Sequence, residues 1–109
     1  MEPQNAEPLP PPQEAVRFHL FVAGETPRSR RAIENLREIV ETSQQWRCEV
    51  EVIDVLAFPE RAEEERILAT PTLIKAFPLP RRRITGDLSD LGKVLRVIGP
   101  MDEQRPLPT

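Results

Sequence analysis

The sequence has little cysteine, histidine or tyrosine: one cysteine, one histidine and no tyrosine occur among 109 residues. A single cysteine cannot form a disulfide within the chain, which excludes a disulfide-stapled secreted miniprotein. The formal net charge of -3 argues against a general nucleic-acid binder, because such proteins carry a basic excess. No apolar stretch approaches the roughly 20 residues that span a bilayer, and the acidic N-terminus lacks a signal-peptide core. We therefore predict a cytoplasmic protein without a membrane or nucleic-acid partner.

Proline, by contrast, is abundant: its 13 residues are more than twice the usual share of about 5%. Eight of them lie near the two ends of the chain, where no apolar periodicity is present. We predict that residues 1–14 and 100–109 are disordered tails and that residues 15–99 form one domain. A solvated spacer is the preferred interpretation of Pro10–Pro12. A ligand for a proline-reading module is the alternative, which no flanking pattern supports.

The first half of the domain reads as a strand, a helix and a second strand. Alternating apolar residues predict a strand over Val16–Val22. The pair Thr26-Pro27 predicts a helix start, because threonine can cap a helix and proline suits its first turn. The helical periodicity ends near Thr42 or Ser43, and Cys48–Val55 again alternates. This βαβ unit predicts parallel strands with a right-handed crossover.

The second half adds a helix, two strands and a last helix. The predicted bounds of the first three are Glu60–Leu68, Leu73–Phe77 and Arg81–Thr85. Asp87 or Ser89 can cap the last helix, which carries Leu88, Leu91, Leu95 and Ile98. The short link between the two strands makes them antiparallel, and Thr70-Pro71 is a candidate cis peptide bond. The resulting order, βαβαββα with a mixed four-stranded sheet, is the thioredoxin-like arrangement of the α/β class.

Residues 92–98 give conflicting signals. Val94, Val97 and Ile98 are β-branched, and Gly92 costs about 1 kcal/mol inside a helix, yet the apolar spacing is helical. Tertiary packing that overrides weak propensity is one explanation. A segment that adopts two folds is the other.

No catalytic constellation can be assembled from the sequence. A thioredoxin-type enzyme needs a thiol where the first strand meets the first helix, and Gly24–Arg30 contains none. We interpret Cys48 as a small buried or half-buried hydrophobe and His19 as a packed or surface residue. One histidine and one cysteine make no metal site, and no phosphate-binding glycine loop is present. We therefore predict a binding module without cofactor or metal, not an enzyme.

The run Arg81–Arg83 is the sharpest charge cluster of the sequence. A solvated strand edge is its preferred interpretation, since rows of like charge discourage unwanted edge pairing. An acidic protein surface as a partner is the functional alternative.

Four sequence blocks together carry a resemblance to a known family. They are residues 20–27, 52–56 and 62–73, the last ending in Leu-Ala-Thr-Pro-Thr-Leu, and residues 82–89 with Gly-Asp-Leu-Ser. These blocks resemble the KaiB family of circadian-clock proteins, without an apparent gap from Phe18 to Leu95. The resemblance implies a non-enzymatic protein that binds the N-terminal ring of the ATPase KaiC and can then sequester KaiA. It also implies switching between a tetrameric ground-state fold, βαββααβ, and a thioredoxin-like monomer.

The resemblance further implies residue roles. The carried-over KaiC contacts are Arg66, Ile67, Thr70, Pro71, Arg82 and Arg83, and the fold-switch region contains Gly92, Val94, Val97 and Gly99. Val97 and Gly99 stand where the family commonly has a glycine and an aspartate, and loss of a helix-interior glycine favours the helix. Glu49 and Glu51 lie on the strand that docks KaiA in the family, so KaiA is a doubtful partner.

We therefore expect a KaiB-like regulator, biased towards the thioredoxin-like fold, that binds a KaiC-type ATPase ring. It would modulate the phosphorylation and ATPase cycle of that ring in circadian or timing control. A KaiB-like adaptor in stress response or two-component signalling, without KaiA, is the alternative. A thiol enzyme that depends on Cys48 is the third. A homo-oligomer, dimer or tetramer, is left open.

Overall fold

A computed structural model describes residues 15–42 and 47–98. The strands are β1 (Val16–Val22), β2 (Cys48–Asp54), β3 (Thr72–Phe77) and β4 (Arg82–Thr85), and the helices are α1 (Pro27–Thr42), α2 (Pro59–Glu64) and α3 (Leu91–Ile98). They form a sheet of order β2-β1-β3-β4, in which β1 and β2 are parallel and the other neighbours are antiparallel. The predicted fold class is confirmed. The predicted tails and Gly99 lie outside the described residues.

The central strand β1 buries both of its faces. Phe18 and Leu20 belong to the main core, which the inner faces of α1 and α3 complete. Phe21 points to the other face and packs with Ile53 and Ile74 in a second cluster. Each such large apolar side chain contributes about 1.5–3 kcal/mol when it is fully buried. The helix α2 is short, with six residues. On the second face of the sheet, the side chain of Arg17 remains exposed.

The start of α1 is built as its sequence predicts. The Thr26 hydroxyl accepts a hydrogen bond from the Ser29 N–H at 3.1 Å, which satisfies one of the free donors of the first turn. Ala32, Leu36 and Ile39 then follow at helical spacing and are buried. The helix ends at Thr42, as expected.

The predicted end of α2 at Leu68 is wrong, because the helix stops at Glu64. Arg66 has a φ of 54°, the left-handed conformation that terminates helices. Its N–H donates to the Glu63 carbonyl at 3.1 Å, and the Ile67 N–H donates to the Ala62 carbonyl at 2.9 Å. This pair of bonds is a Schellman motif, formed here with arginine at the position where glycine is usual.

The predicted start of α3 is also corrected. Asp90 caps the helix, since its carboxylate accepts from the Lys93 N–H at 3.1 Å, and neither Asp87 nor Ser89 does so. Leu88 precedes the helix, with a φ of 67°. The segment from Leu91 to Ile98, including Gly92, Val94 and Val97, is helical in this structure.

The strand bounds differ from the predicted ones by one residue at β2, β3 and β4. In the ranges 15–42 and 47–98, no helix is both long and apolar enough to cross a membrane.

Candidate protein-interaction site

Thioredoxins carry their reactive thiol where the first strand meets the first helix. In this chain a carboxylate holds the turn after β1 in place, by accepting hydrogen bonds from main-chain N–H groups. The Asp54 carboxylate accepts from the N–H groups of Gly24 and Leu56, at 3.0 and 2.9 Å. Gly24 has a φ of 69°, a conformation that L side chains rarely adopt. Cys48 pairs with Val16, at the end of β1 opposite to this turn. Burial raises the pKa of the Cys48 thiol, which disfavours the reactive thiolate.

Residues 65–71, which we call the α2–β3 loop, lie between the end of α2 and the start of β3. The Thr70–Pro71 peptide bond is cis, and the Pro71 carbonyl accepts from the Gly86 N–H at 2.8 Å. The Thr72 hydroxyl donates to the Ala69 carbonyl at 2.7 Å. The loop is therefore tied to the sheet at its C-terminal end.

Arg83 ties the other end of the α2–β3 loop. Its guanidinium donates to the main-chain carbonyls of Glu65 at 2.6 Å and of Arg66 at 3.1 Å. Arg81 forms an ion pair with the Glu65 carboxylate at 2.7 Å. Two members of the Arg81–Arg83 run thus hold the loop against β4.

Of the six residues that the resemblance implies as KaiC contacts, the structure places five at the α2–β3 loop and one on the other face of the sheet. Arg66, Ile67, Thr70 and Pro71 lie in the α2–β3 loop, and Arg83 binds that loop. Arg82 is opposite Lys75 in the β3–β4 pairing, whereas Arg83 is opposite Ile74. Because successive residues of a strand alternate between faces, Arg82 points to the other side of the sheet.

Exposed apolar side chains flank α2, and sequence reasoning did not assign them to the site. Leu68 is 95% exposed, Leu56 71% and Phe58 51%. Together with the exposed Arg66 they form what we call the α2 surface. Because the sequence predicts a helix that extends to Leu68, it does not reveal that this leucine is exposed. The available signal for an exposed apolar surface was the presence of Leu56 and Phe58 beside Pro59, outside any strand or helix periodicity.

The two carboxylates of β2 are paired within the chain. Glu49 forms ion pairs with Arg17 at 3.4 Å and with Arg47 at 3.0 Å. Glu51 accepts two hydrogen bonds from Arg61, at 3.0 and 3.2 Å, and these lower the pKa of the Glu51 carboxyl. Both carboxylates of the β2 edge are therefore already paired with arginines of the same chain before any partner approaches.

β2 is an edge strand beside an open groove. Val50 and Val52 are 42% and 45% exposed. With Ile33, Leu36 and Val40, on the sheet-facing side of α1, they line a cavity of about 190 Å³. Among the residues that the structure describes, no group of three side chains could hold a metal ion.

Fold and site together define a thioredoxin-like domain with no thiol at the redox position. The family model described as the KaiB domain matches residues 19–100, so the chain belongs to the KaiB family. It is 54% identical over 84 residues to the circadian clock oscillator protein KaiB of Synechococcus elongatus, covering 77% of this chain and 82% of that protein. It is 58% identical over 76 residues to the protein of that name from Prochlorococcus marinus strain NATL2A, covering 70% and 71%.

Solved structures show the same fold at low sequence identity. The N-terminal domain of Synechococcus elongatus SasA superposes with a TM-score of 0.68 at 22% identity, covering 98% of this chain and 96% of that one. The germline-specific thioredoxin Deadhead from Drosophila melanogaster superposes with a TM-score of 0.63 at 17% identity, covering 85% and 83%.

Proposed function

We propose that this chain is a non-enzymatic KaiB-type regulator that binds a KaiC-type ATPase ring in the cytoplasm. Binding would modulate the phosphorylation and ATPase cycle of the ring in circadian or timing control. The observation that carries the proposal is the α2–β3 loop, which hydrogen bonds hold in place with its Leu68 side chain exposed. Its relatives named circadian clock oscillator protein support the same reading.

In this proposal some residues contact the partner directly and others position the α2–β3 loop. Arg66 and Leu68 are exposed and meet the partner directly, as an arginine and an apolar side chain that interfaces bury well. Thr70 and Pro71 shape the loop, and Ile67 anchors it in the second cluster. Arg83 positions the loop through the carbonyls of Glu65 and Arg66. Arg82 points to the opposite face of the sheet and is not part of this surface.

KaiA is not part of the proposal. The family docks KaiA on the strand that corresponds to β2, where this chain has Glu49 and Glu51, each paired with arginines of its own. A second candidate function is therefore an adaptor in stress response or two-component signalling that works without KaiA.

Pull-down of KaiC from the same source organism, with ATP and long incubation, tests the proposal. We expect the wild-type chain to retain KaiC and Leu68→Ser to lose most of it. Leu79→Ser is the matched control, because Leu79 is 68% exposed but lies in the turn between β3 and β4. Absence of a complex would contradict the proposal, and capture of a different partner would favour the adaptor.

A further inference from the structure

Lys75 is buried without a partner for its charge. Its side chain is only 1% exposed, and within residues 15–42 and 47–98 no group accepts a hydrogen bond from its Nζ atom. It lies on the main-core face of β3, because it pairs with Phe18 and stands two residues after the buried Leu73. A buried ammonium group without a partner is costly, and a lysine escapes this cost when it gives up its proton.

A second positive charge faces Lys75 from the neighbouring strand. Arg82 is directly opposite it in the β3–β4 pairing. Like charges that face each other across two strands destabilise a sheet. Burial and the nearby Arg82 together lower the pKa of Lys75. In the part of the chain that the structure describes, neither cation forms an ion pair.

The other described elements on this face bring no carboxylate to Lys75. The residues that α1 and α3 bury are uncharged; they are Ser29, Ala32, Leu36, Ile39, Val94 and Ile98. The charged residues of α3, Lys93 and Arg96, are exposed. Cys48 also packs on this face, but it belongs to β2, which β1 separates from β3. Arg82 is therefore the charged group that acts on Lys75 here.

The elements that can uncover Lys75 are β4 and α3. β4 is an edge strand of four residues, its neighbour in the sheet is β3, and α3 packs on it. Arg82 is the first residue of β4, so separation of the strands at this end brings Lys75 into water. Local opening of such peripheral elements costs less free energy than unfolding of the whole domain.

We propose that Lys75 makes the closure of β4 and α3 over β3 depend on pH, because the closed arrangement holds a neutral amine and the protonated side chain favours opening. Closure releases one proton from the ammonium group to water, and opening takes one up. Where the folded pKa of a lysine lies below its unfolded pKa, the unfolded chain binds more protons between the two values. Stability therefore rises with pH across this window and is lowest below it. The proposal does not depend on KaiC binding.

NMR of the full chain measures the protonation of Lys75 directly. The sequence has two lysines, Lys75 and Lys93, so carbon-13 labelling at Cε gives two lysine signals, which Lys93→Arg assigns. We expect the Lys75 signal to titrate about one pH unit or more lower in the folded chain than in urea. Arg82→Gln should move this titration to higher pH. Arg81→Gln is the matched control and should not, because Arg81 is paired with Glu65. Equal titration in the folded chain and in urea overturns the proposal.

Urea unfolding from pH 7 to pH 10 measures the effect on stability. Over this range the unfolding equilibrium constant should fall about tenfold more in the wild type than in Lys75→Met. Lys93→Met is the matched control and should keep the wild-type profile, because Lys93 is exposed. Parallel profiles of the wild type and Lys75→Met overturn the proposal. If Lys75→Met does not fold, the exposed Arg82→Gln takes its place, with a smaller difference of the same sign.

Amide hydrogen exchange at pH 7 locates the opening. Lys75→Met should protect the amide of Val94, in α3, about tenfold more than the wild type does, and the amide of Leu36, in α1, clearly less. Equal gains at both amides would place the effect in unfolding of the whole domain and overturn an opening of β4 and α3.

Discussion

The guanidinium of Arg83 donates a hydrogen bond to the main-chain carbonyl of Glu65 at 2.6 Å, across 18 residues of sequence. A second bond to the carbonyl of Arg66 makes the arginine a clamp on the end of α2. Hydrogen bonds from a charged donor are the strong ones, and two from one planar group fix an orientation. The clamp therefore determines how Arg66 and Leu68 are presented.

Replacement of Arg83 by alanine should weaken KaiC binding at least tenfold. The two carbonyls lose their donor, so the α2–β3 loop loses its fixed geometry. Because Arg83 is exposed, the free energy of unfolding should fall by only about 1 kcal/mol. Titration calorimetry and urea unfolding measure the two effects. Arg81→Ala, which removes only the ion pair with Glu65, should change binding little, and equal losses in both variants would contradict the clamp.

Asp90→Ala should destabilise the protein by about 1 kcal/mol, because α3 loses the carboxylate that caps it. Thermal unfolding followed by circular dichroism measures this loss. Ser89→Ala is the control, since no side-chain cap of α3 comes from Ser89. A larger loss in the control than in Asp90→Ala would place the cap where the sequence first suggested.

Gly92→Ala should stabilise α3 by up to about 1 kcal/mol. Gly92 is exposed, and an added Cβ would meet nothing closer than 3.6 Å, so the methyl group fits. Val97→Gly should do the opposite. If residues 91–98 take part in a fold switch, Gly92→Ala should also speed formation of the KaiC complex. Unchanged kinetics in both variants would argue that the segment holds one fold.

Acid should weaken the contact between β2 and α2. Hydrogen bonds from Arg61 lower the pKa of the Glu51 carboxyl in the folded state below its ordinary value. A carboxyl group with a lowered folded pKa stabilises the fold above its unfolded pKa, and this contribution is lost as pH falls through the folded pKa. Below about pH 4.5 the wild type should therefore lose more stability than Glu51→Gln. Parallel pH profiles in urea would contradict this.

The topology could be predicted from the sequence, because its signals are local. They are the alternation in β1 and β2, the proline that starts α1 and the proline directly before β3. The end of α2 could not, since Arg66 occupies a position where glycine is the usual signal. Three polar residues, Asp87, Ser89 and Asp90, compete as caps of α3, and only the structure chooses among them.

The candidate site was predictable only in part. The resemblance pointed to the α2–β3 loop, but it grouped Arg82 with Arg83, whose side chains lie on opposite faces of the sheet. The clamp of Arg83 depends on contacts between β4 and the α2–β3 loop, residues far apart in sequence, which no local pattern encodes.

Amide hydrogen exchange of the chain, free and mixed with the KaiC ring and ATP, tests the central claim most directly. Amides of residues 65–70 should exchange at least tenfold more slowly in the complex, while those of Val50 and Val52 should not change. Protection of β2 in place of the α2–β3 loop, or no protection anywhere, would contradict the account.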